Sequence, residues 1–158
     1  MQFHKAVIQD IDAIWEIEKS VFSSPWSREQ LAYELSENPT ASHWVLEDGN
    51  SIIGYIMSFA VKPDVQIINI AVKLSHQCRG NGKRILSEFL SQFNEDTYFY
   101  LEVRESNLPA IQLYSHFGFT HLDLRKKYYS DGEDAIVMAK TGNKIPKDIN
   151  MELIELSV

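Results

Sequence analysis

Residues 72–93 read Val-Lys-Leu-Ser-His-Gln-Cys-Arg-Gly-Asn-Gly-Lys-Arg-Ile-Leu-Ser-Glu-Phe-Leu-Ser-Gln-Phe, and this stretch decides the fold. An apolar run, Ile67, Ile68, Ile70, Ala71 and Val72, precedes it and reads as a buried strand. Gly80 and Gly82 follow, at the mouth of a helix whose Ile85, Leu86, Phe89, Leu90 and Phe93 share one face. The order is strand, glycine loop, helix. The first turn of a helix carries unpaired N–H groups and the positive end of the dipole. Glycines let an anion approach that backbone, so the loop suits a phosphate. Two common phosphate loops do not fit. A P-loop ending at Gly82-Lys83 would need Gly where Gln77 stands and Ser or Thr where Arg84 stands. A dinucleotide fingerprint would need a third Gly at Ile85. The remaining motif is Gln77-x-x-Gly80-x-Gly82, which alone fits a ligand-free turn equally well.

The chain has 158 residues, of which 44% are apolar, enough for one domain with a core. The single cysteine, Cys78, excludes an internal disulfide and fits a reducing cytoplasm. The N-terminal residues lack the apolar core of a signal peptide. The longest mostly apolar run, Ile52 to Val61, falls short of the ~20 residues that span a bilayer. A soluble, cytoplasmic protein is expected, with no membrane partner. Net charge is −7, from 15 basic and 22 acidic residues. That argues against direct nucleic-acid binding and mildly favours a basic partner. The five histidines show no metal-ligand spacing, so no metal is expected.

Earlier in the chain, Phe3–Ile8 reads as a strand, and Asp10 as the N-cap of a helix carrying Ile11, Ile14, Trp15 and Ile17. Ser27-Arg28-Glu29-Gln30 forms a capping box, with Trp26 and Leu31 placed as its hydrophobic staple. Trp26 could also line a substrate site. His43–Leu46 and Ile52–Val61 read as strands around a turn at residues 48–50. Thr97–Val103 reads as a buried strand. Asn107 caps a helix with Pro109 in its first turn, and Gly118 ends it. Phe119–Tyr129 and Asp134–Lys140 read as a terminal hairpin. Strands alternate with helices in the middle and pair as hairpins at both ends, so a mixed sheet is expected. One domain spans residues 1–140. Residues 141–158 form a C-terminal extension that starts at the breakers Thr141-Gly142-Asn143 and Pro146.

Further motifs give a resemblance. They are Asn69-Ile70-Ala71-Val72 before the loop, Leu101-Glu102-Val103-Arg104-Glu105-Ser106-Asn107 after the central helix, and Tyr128-Tyr129 followed by Glu133-Asp134-Ala135-Ile136-Val137-Met138-Ala139. Pro25-Trp26-Ser27 adds to them. Over residues 1 to about 140 the chain resembles the GNAT acetyltransferase superfamily, and within it the ribosomal-protein-alanine N-acetyltransferases (the RimI type). The resemblance implies an α/β (α+β) fold with a mixed sheet of about seven strands flanked by about four helices. It implies transfer of acetyl from acetyl-CoA to the N-terminal amine of a protein, a ribosomal protein with an N-terminal alanine. A small-molecule amine acetyltransferase and a silent acyl-CoA-binding module remain the alternatives.

The same resemblance assigns candidate residues, and each has a plainer reading. Glu102 would be the general base; otherwise it faces solvent or pairs with Arg104. Tyr114 would protonate the departing CoA sulfur; otherwise it is a core aromatic. A phenol of pKa ~10 can supply that proton at neutral pH. Ile70, Ala71 and Val72 would hold the thioester and pantetheine through their backbone. Cys78, Arg79, Gly80, Asn81, Gly82 and Lys83 would bind the pyrophosphate, although Cys78 and Arg79 depart from the residues usual in relatives. Asn107 would contact CoA, cap its helix, or do both. Tyr128 and Tyr129 would line the peptide groove; otherwise they pack across the hairpin. A free α-amine has a pKa of ~8 against ~10.4 for lysine, so a weak base such as Glu102 suits α-amines.

Overall fold

A computed structural model of the chain describes residues 1–144. The described elements are β1 (Gln2–Lys5), α1 (Ile11–Val21), α2 (Arg28–Ser36), β2 (Trp44–Asp48), β3 (Ser51–Val61), β4 (Asp64–Val72), α3 (Asn81–Leu90), β5 (Tyr98–Arg104), α4 (Leu108–His116), β6 (Thr120–Arg125) and β7 (Ala135–Thr141). The strands form one mixed sheet in the order β1-β2-β3-β4-β5-β7-β6. Helices cover both faces. On one face α3 and α4 bury Ile85, Leu86, Phe89 and Leu113, with Phe117 just after α4, against Ile56, Val72, Phe99 and Leu101. On the other, α1 and α2 bury Ile14, Ile17 and Leu31 against Val45, Tyr55, Met57 and Ala71.

The capping box is present as read. Ser27 Oγ accepts from the Gln30 N–H at 3.1 Å, and Gln30 Oε1 accepts from the Ser27 N–H at 2.8 Å. Such a cap stabilises a helix by ~1 kcal/mol. Other boundaries differ. β1 stops at Lys5, and Asp10 Oδ2 accepts from the Val7 N–H at 2.9 Å, closing a short 3₁₀ turn rather than capping α1. α3 ends at Leu90, yet Phe93 still packs edge-on against Phe89 and Phe99. β6 ends at Arg125, so Tyr128 and Tyr129 lie in a loop, not in the hairpin strands. The cause is local. Lys127 adopts a positive φ of 52°, its N–H bonds Asp134 Oδ1 at 2.8 Å, and the ladder cannot continue. After β7, the Gly142 N–H bonds the Thr97 carbonyl at 2.8 Å and Asn143 Nδ2 donates to the Phe93 carbonyl at 2.6 Å. Most of the expected C-terminal extension, residues 145–158, lies outside the described residues.

The feature that makes room for a site is the seam between β4 and β5. This is the parallel pair of the sheet, and it holds only from Asp64↔Tyr98 to Ile67↔Leu101. Beyond that point β4 keeps its bonds to β3 as far as Val72 but has no β5 partner. The register of β3 against β4 jumps from Ser58↔Ile67 to Met57↔Asn69, leaving Ile68 as an extra residue. A bulge bends its strand and raises the local twist. It also flips the alternation, so Ile67 and Ile70 both face the α3 core, while Ile68 and Ala71 face α1 and α2. β4 therefore veers from β5, and a cleft opens between them.

Candidate active site

The cleft has a volume of about 490 Å³. The diverging strands line it with Ile68, Asn69, Ile70, Glu102, Val103 and Arg104. Asn107, Ala110 and Tyr114 close it from α4, Phe22 to Trp26 wall one side, and Tyr128 and Tyr129 wall the other. Clefts of this size at the point where parallel strands part are common ligand sites in α/β proteins.

Glu102 reaches the cleft because alternation along β5 turns Leu101 and Val103 into the core. Its side chain is 14% exposed. It does not pair with Arg104. Its Oε1 lies 3.1 Å from Arg125 Nη1, across the sheet on β6. The Tyr128 phenol is raised above its ordinary value, chiefly because it hydrogen-bonds to Glu102. Arg104 is drawn instead toward the β6–β7 loop, to Asp131 Oδ2 at 2.8 Å and Glu133 Oε2 at 2.9 Å. Its guanidinium also lies 4.0 Å above the Tyr129 ring. Glu133 Oε1 accepts the Ser106 N–H at 2.9 Å, and contacts with Ser106, then Arg104, hold its carboxyl down at about 2. This anchor therefore stays ionised at any ordinary pH. It fixes the loop that presents Tyr128 and Tyr129, whose rings meet edge-on at 5.1 Å.

Tyr114 is buried on the apolar face of α4, 5.6 Å from the Phe119 ring. Burial, and secondarily the Tyr129 phenol, pushes its hydroxyl well above the ordinary value. It keeps its proton at neutral pH, which suits a donor and excludes it as a base. Asn107 is the cap of α4: its Oδ1 accepts from the Ala110 N–H at 3.3 Å, and the residue also lines the cleft.

The glycine loop lies beyond the far end of β4. Gly80 is the N-cap of α3, with φ 79° and no side-chain cap. Cys78 also has a positive φ, 57°. Asn81 Nδ2 donates to the His76 carbonyl at 2.8 Å, and Gln77 Nε2 to the Val72 carbonyl at 3.0 Å, so the two amides brace the loop. Gly80 and Lys83 border a second cavity of about 440 Å³ with Arg84, Ser87 and Glu88. Asn81, Gly82 and Lys83 are buried in the first turn, while Cys78 and Arg79 are exposed. The uncapped first turn and the basic residues fit a pyrophosphate. The unpaired β4 edge fits an extended amide-bearing arm such as pantetheine.

The candidates thus fall into two groups. Ile70, Glu102, Asn107, Tyr114, Tyr128 and Tyr129 share the cleft, and residues 78–83 form the loop. Ala71 and Val72 have buried side chains on opposite faces of β4, so neither side chain is open to a ligand, and the Val72 carbonyl already accepts from Gln77 Nε2. Among the described residues no group of three or more His, Cys, Asp or Glu could hold a metal ion, and no helix is long and apolar enough to cross a membrane. Sequence reasoning missed Arg125 and Glu18. Arg125 gave no signal, because its contact with Glu102 depends on strand order. Glu18 did: it stands four residues after Ile14 and seven after Ile11, in the apolar stripe of α1.

A sequence model of the acetyltransferase (GNAT) family matches residues 11–119. A Bacillus subtilis (strain 168) protein, provisionally named a ribosomal protein bS18-alanine N-acetyltransferase, is 39% identical over 140 residues, covering 87% of this chain and 93% of its own. The ribosomal protein bS18-alanine N-acetyltransferase of Haemophilus influenzae is 36% identical, covering 82% and 91%. The crystal structure of the ribosomal-protein-S18-alanine N-acetyltransferase from Escherichia coli superposes with a TM-score of 0.81 at 26% identity, covering 93% of this chain and 97% of that one.

Proposed function

This chain belongs to the acetyltransferase (GNAT) family and is an acyltransferase, and from that premise we propose that it acetylates the N-terminal alanine of a ribosomal protein, using acetyl-CoA. The observation that carries the reading is the split β4–β5 seam, with Glu102 and Tyr114 on one side and the open β4 backbone on the other. Acetyl-CoA supplies the activated acetyl group. The first turn of α3 and residues 78–83 hold its pyrophosphate, and the β4 edge from Ile70 to Val72 aligns its thioester. Glu102 takes the proton of the incoming α-amine through a water. Tyr114 gives its hydroxyl proton to the sulfur as the C–S bond breaks and the N–C bond forms. Asn107 holds α4 in register and touches the cofactor. The substrate's first residues enter between the Phe22–Trp26 segment and the Tyr128–Tyr129 loop. Residues 1–140 carry all of this, in the cytoplasm, without a metal, a membrane or direct contact with nucleic acid.

The acceptor is tested with three kinds of amine: an Ala-starting peptide, the same peptide with a blocked N-terminus and an internal lysine, and a panel of polyamines. The Ala peptide has the highest kcat/KM. If the blocked peptide or a polyamine surpasses it, the acceptor is not a protein N-terminus.

The phosphate loop has its own test. Gly82→Leu places a side chain on the first turn of α3, where the anion must come close. The acetyl-CoA KM rises about tenfold or more, the scale of one lost hydrogen bond to a charged group. Unchanged acetyl-CoA affinity would remove residues 78–83 from the site.

A further inference from the structure

Glu18 is fully buried, at 0% exposure, on the face of α1 that carries Ile11, Ile14 and Ile17. Three neutral donors converge on its carboxylate. Oε1 accepts from the Tyr55 hydroxyl on β3 and from Asn69 Nδ2 on β4 at 3.0 Å. Oε2 accepts from the Trp26 backbone N–H at 3.1 Å. Burying a carboxylate costs several kcal/mol, which hydrogen bonds from neutral groups only partly offset. An apolar residue would stabilise α1 more simply, so the acid calls for another explanation.

The partners supply one. Asn69 directly follows the bulged Ile68 and lines the cleft on its β4 side. Trp26 lines the same cleft next to it, at the end of the segment that begins with Phe22. The Phe22 N–H bonds the Glu18 carbonyl at 3.0 Å as the last backbone bond of α1, and the Glu18 side chain holds the far end of residues 22–26 at Trp26. Its side chain ties the Trp26 end of this connecting segment to the strand that the bulge displaced.

We propose that Glu18 is a positioning residue for the acceptor: it clamps the Phe22–Trp26 wall to Asn69 and so sets the width of the cleft where the substrate's first residues enter. The proposal rests on the reading that the acceptor enters between that wall and the tyrosine loop. Glu18 touches neither reacting atom, so it governs acceptor binding and leaves the chemical step alone.

Glu18→Gln keeps the shape but has one carbonyl oxygen and an amide that donates. It cannot accept from Asn69 and Trp26 on separate oxygens, so one tie is lost. Tyr55→Phe removes a core donor to Glu18 and leaves both ties in place. In Glu18→Gln the acceptor KM rises about tenfold, the scale of one hydrogen bond to a charged group, with kcat and the acetyl-CoA KM within about twofold of wild type. Tyr55→Phe lowers the melting temperature without moving the acceptor KM. Hydrogen exchange without substrate gives a second readout: amides of residues 22–26 exchange faster in Glu18→Gln. Should Glu18→Gln fail to fold, Asn69→Ser breaks the β4 tie alone and raises the same KM. The proposal is overturned if loop exchange is unchanged, if kcat falls with KM constant, or if Tyr55→Phe shifts the acceptor KM equally. A wild-type protein that ignores the Ala peptide would count against the acceptor assignment, and the exchange experiment would still decide the role of Glu18.

Discussion

Glu102→Gln and Tyr114→Phe each lower kcat by about 10²-fold or more, the usual scale for a general base or acid. Neither changes acetyl-CoA affinity. Glu102→Gln keeps the side chain's size and its contacts in the cleft, so Tyr128 and Arg125 retain a neighbour and only the proton acceptor goes. Tyr114→Phe keeps the ring against Phe119 and the buried surface of α4, removing one hydroxyl. Both variants fold, and the loss appears in kcat. The pH profile separates the roles. Burial raises the Tyr114 phenol, so its proton-bearing form persists past the ordinary value near 10. The wild-type rate therefore shows no loss from Tyr114 ionisation as pH rises to ~10, a window set by the upward shift. Steady-state kinetics and calorimetric titration with CoA check these expectations. Wild-type kcat in both variants would leave Glu102 as the partner of Arg125 and Tyr114 as a core aromatic.

Gly54→Val has the second large effect, and it acts on the scaffold. Gly54 sits on β3 beneath α3. A Cβ there would lie 2.6 Å from Ile85 Cδ1 and 2.9 Å from the Ala71 carbonyl oxygen. The isoleucine could rotate away. The carbonyl belongs to the β4 backbone, bonded into the ladder with β3, and it cannot move without unpicking Tyr55↔Ala71. Replacing a glycine also restricts the unfolded chain, a gain of ~0.4–1 kcal/mol. Overpacking costs ~1–3 kcal/mol and outweighs it. At ~2–4 °C per kcal/mol for a domain of this size, melting falls by several degrees. The displacement also lifts α3 and its glycine loop, so acetyl-CoA binds more weakly. Melting at the wild-type temperature would mean that α3 does not depend on this contact.

Most local features of the fold were legible in the sequence, with the Asp10 cap as the exception, and features set by distant partners were not. The Ser27 box, the Asn107 cap and the glycine loop each depend on residues within a few positions, and all are present. The mixed sheet followed from the order of strands and helices. The bulge at Ile68 was hidden because Ile67-Ile68-Asn69-Ile70-Ala71-Val72 is apolar almost throughout, so no alternation marks the flip. The company of Glu102 was misread because an i,i+2 neighbour looked closest. In three dimensions β7 lies between β5 and β6, and Arg125 reaches Glu102 across it. Arg104 was free to turn toward Asp131 and Glu133 for the same reason. Tyr128 and Tyr129 were placed in strands because the aromatic run suits a strand, and the turn at Lys127 has no glycine to announce it. Glu18 was legible as an acid in an apolar stripe, but its meaning required knowing that Trp26 and Asn69 meet there.

The seam of four residue pairs between β4 and β5 also bears on how the chain assembles. β2 to β4 form a meander of neighbours in sequence, and β6 and β7 pair as consecutive strands. Such contacts close short loops and form early. The parallel seam must wait until α3 has bridged the gap from Val72 to Tyr98, because loop closure has to precede the pairing. The cleft exists only once that seam is joined. A chain emerging from the ribosome therefore has no working site until β5 has docked, and a partly folded copy is inert rather than promiscuous.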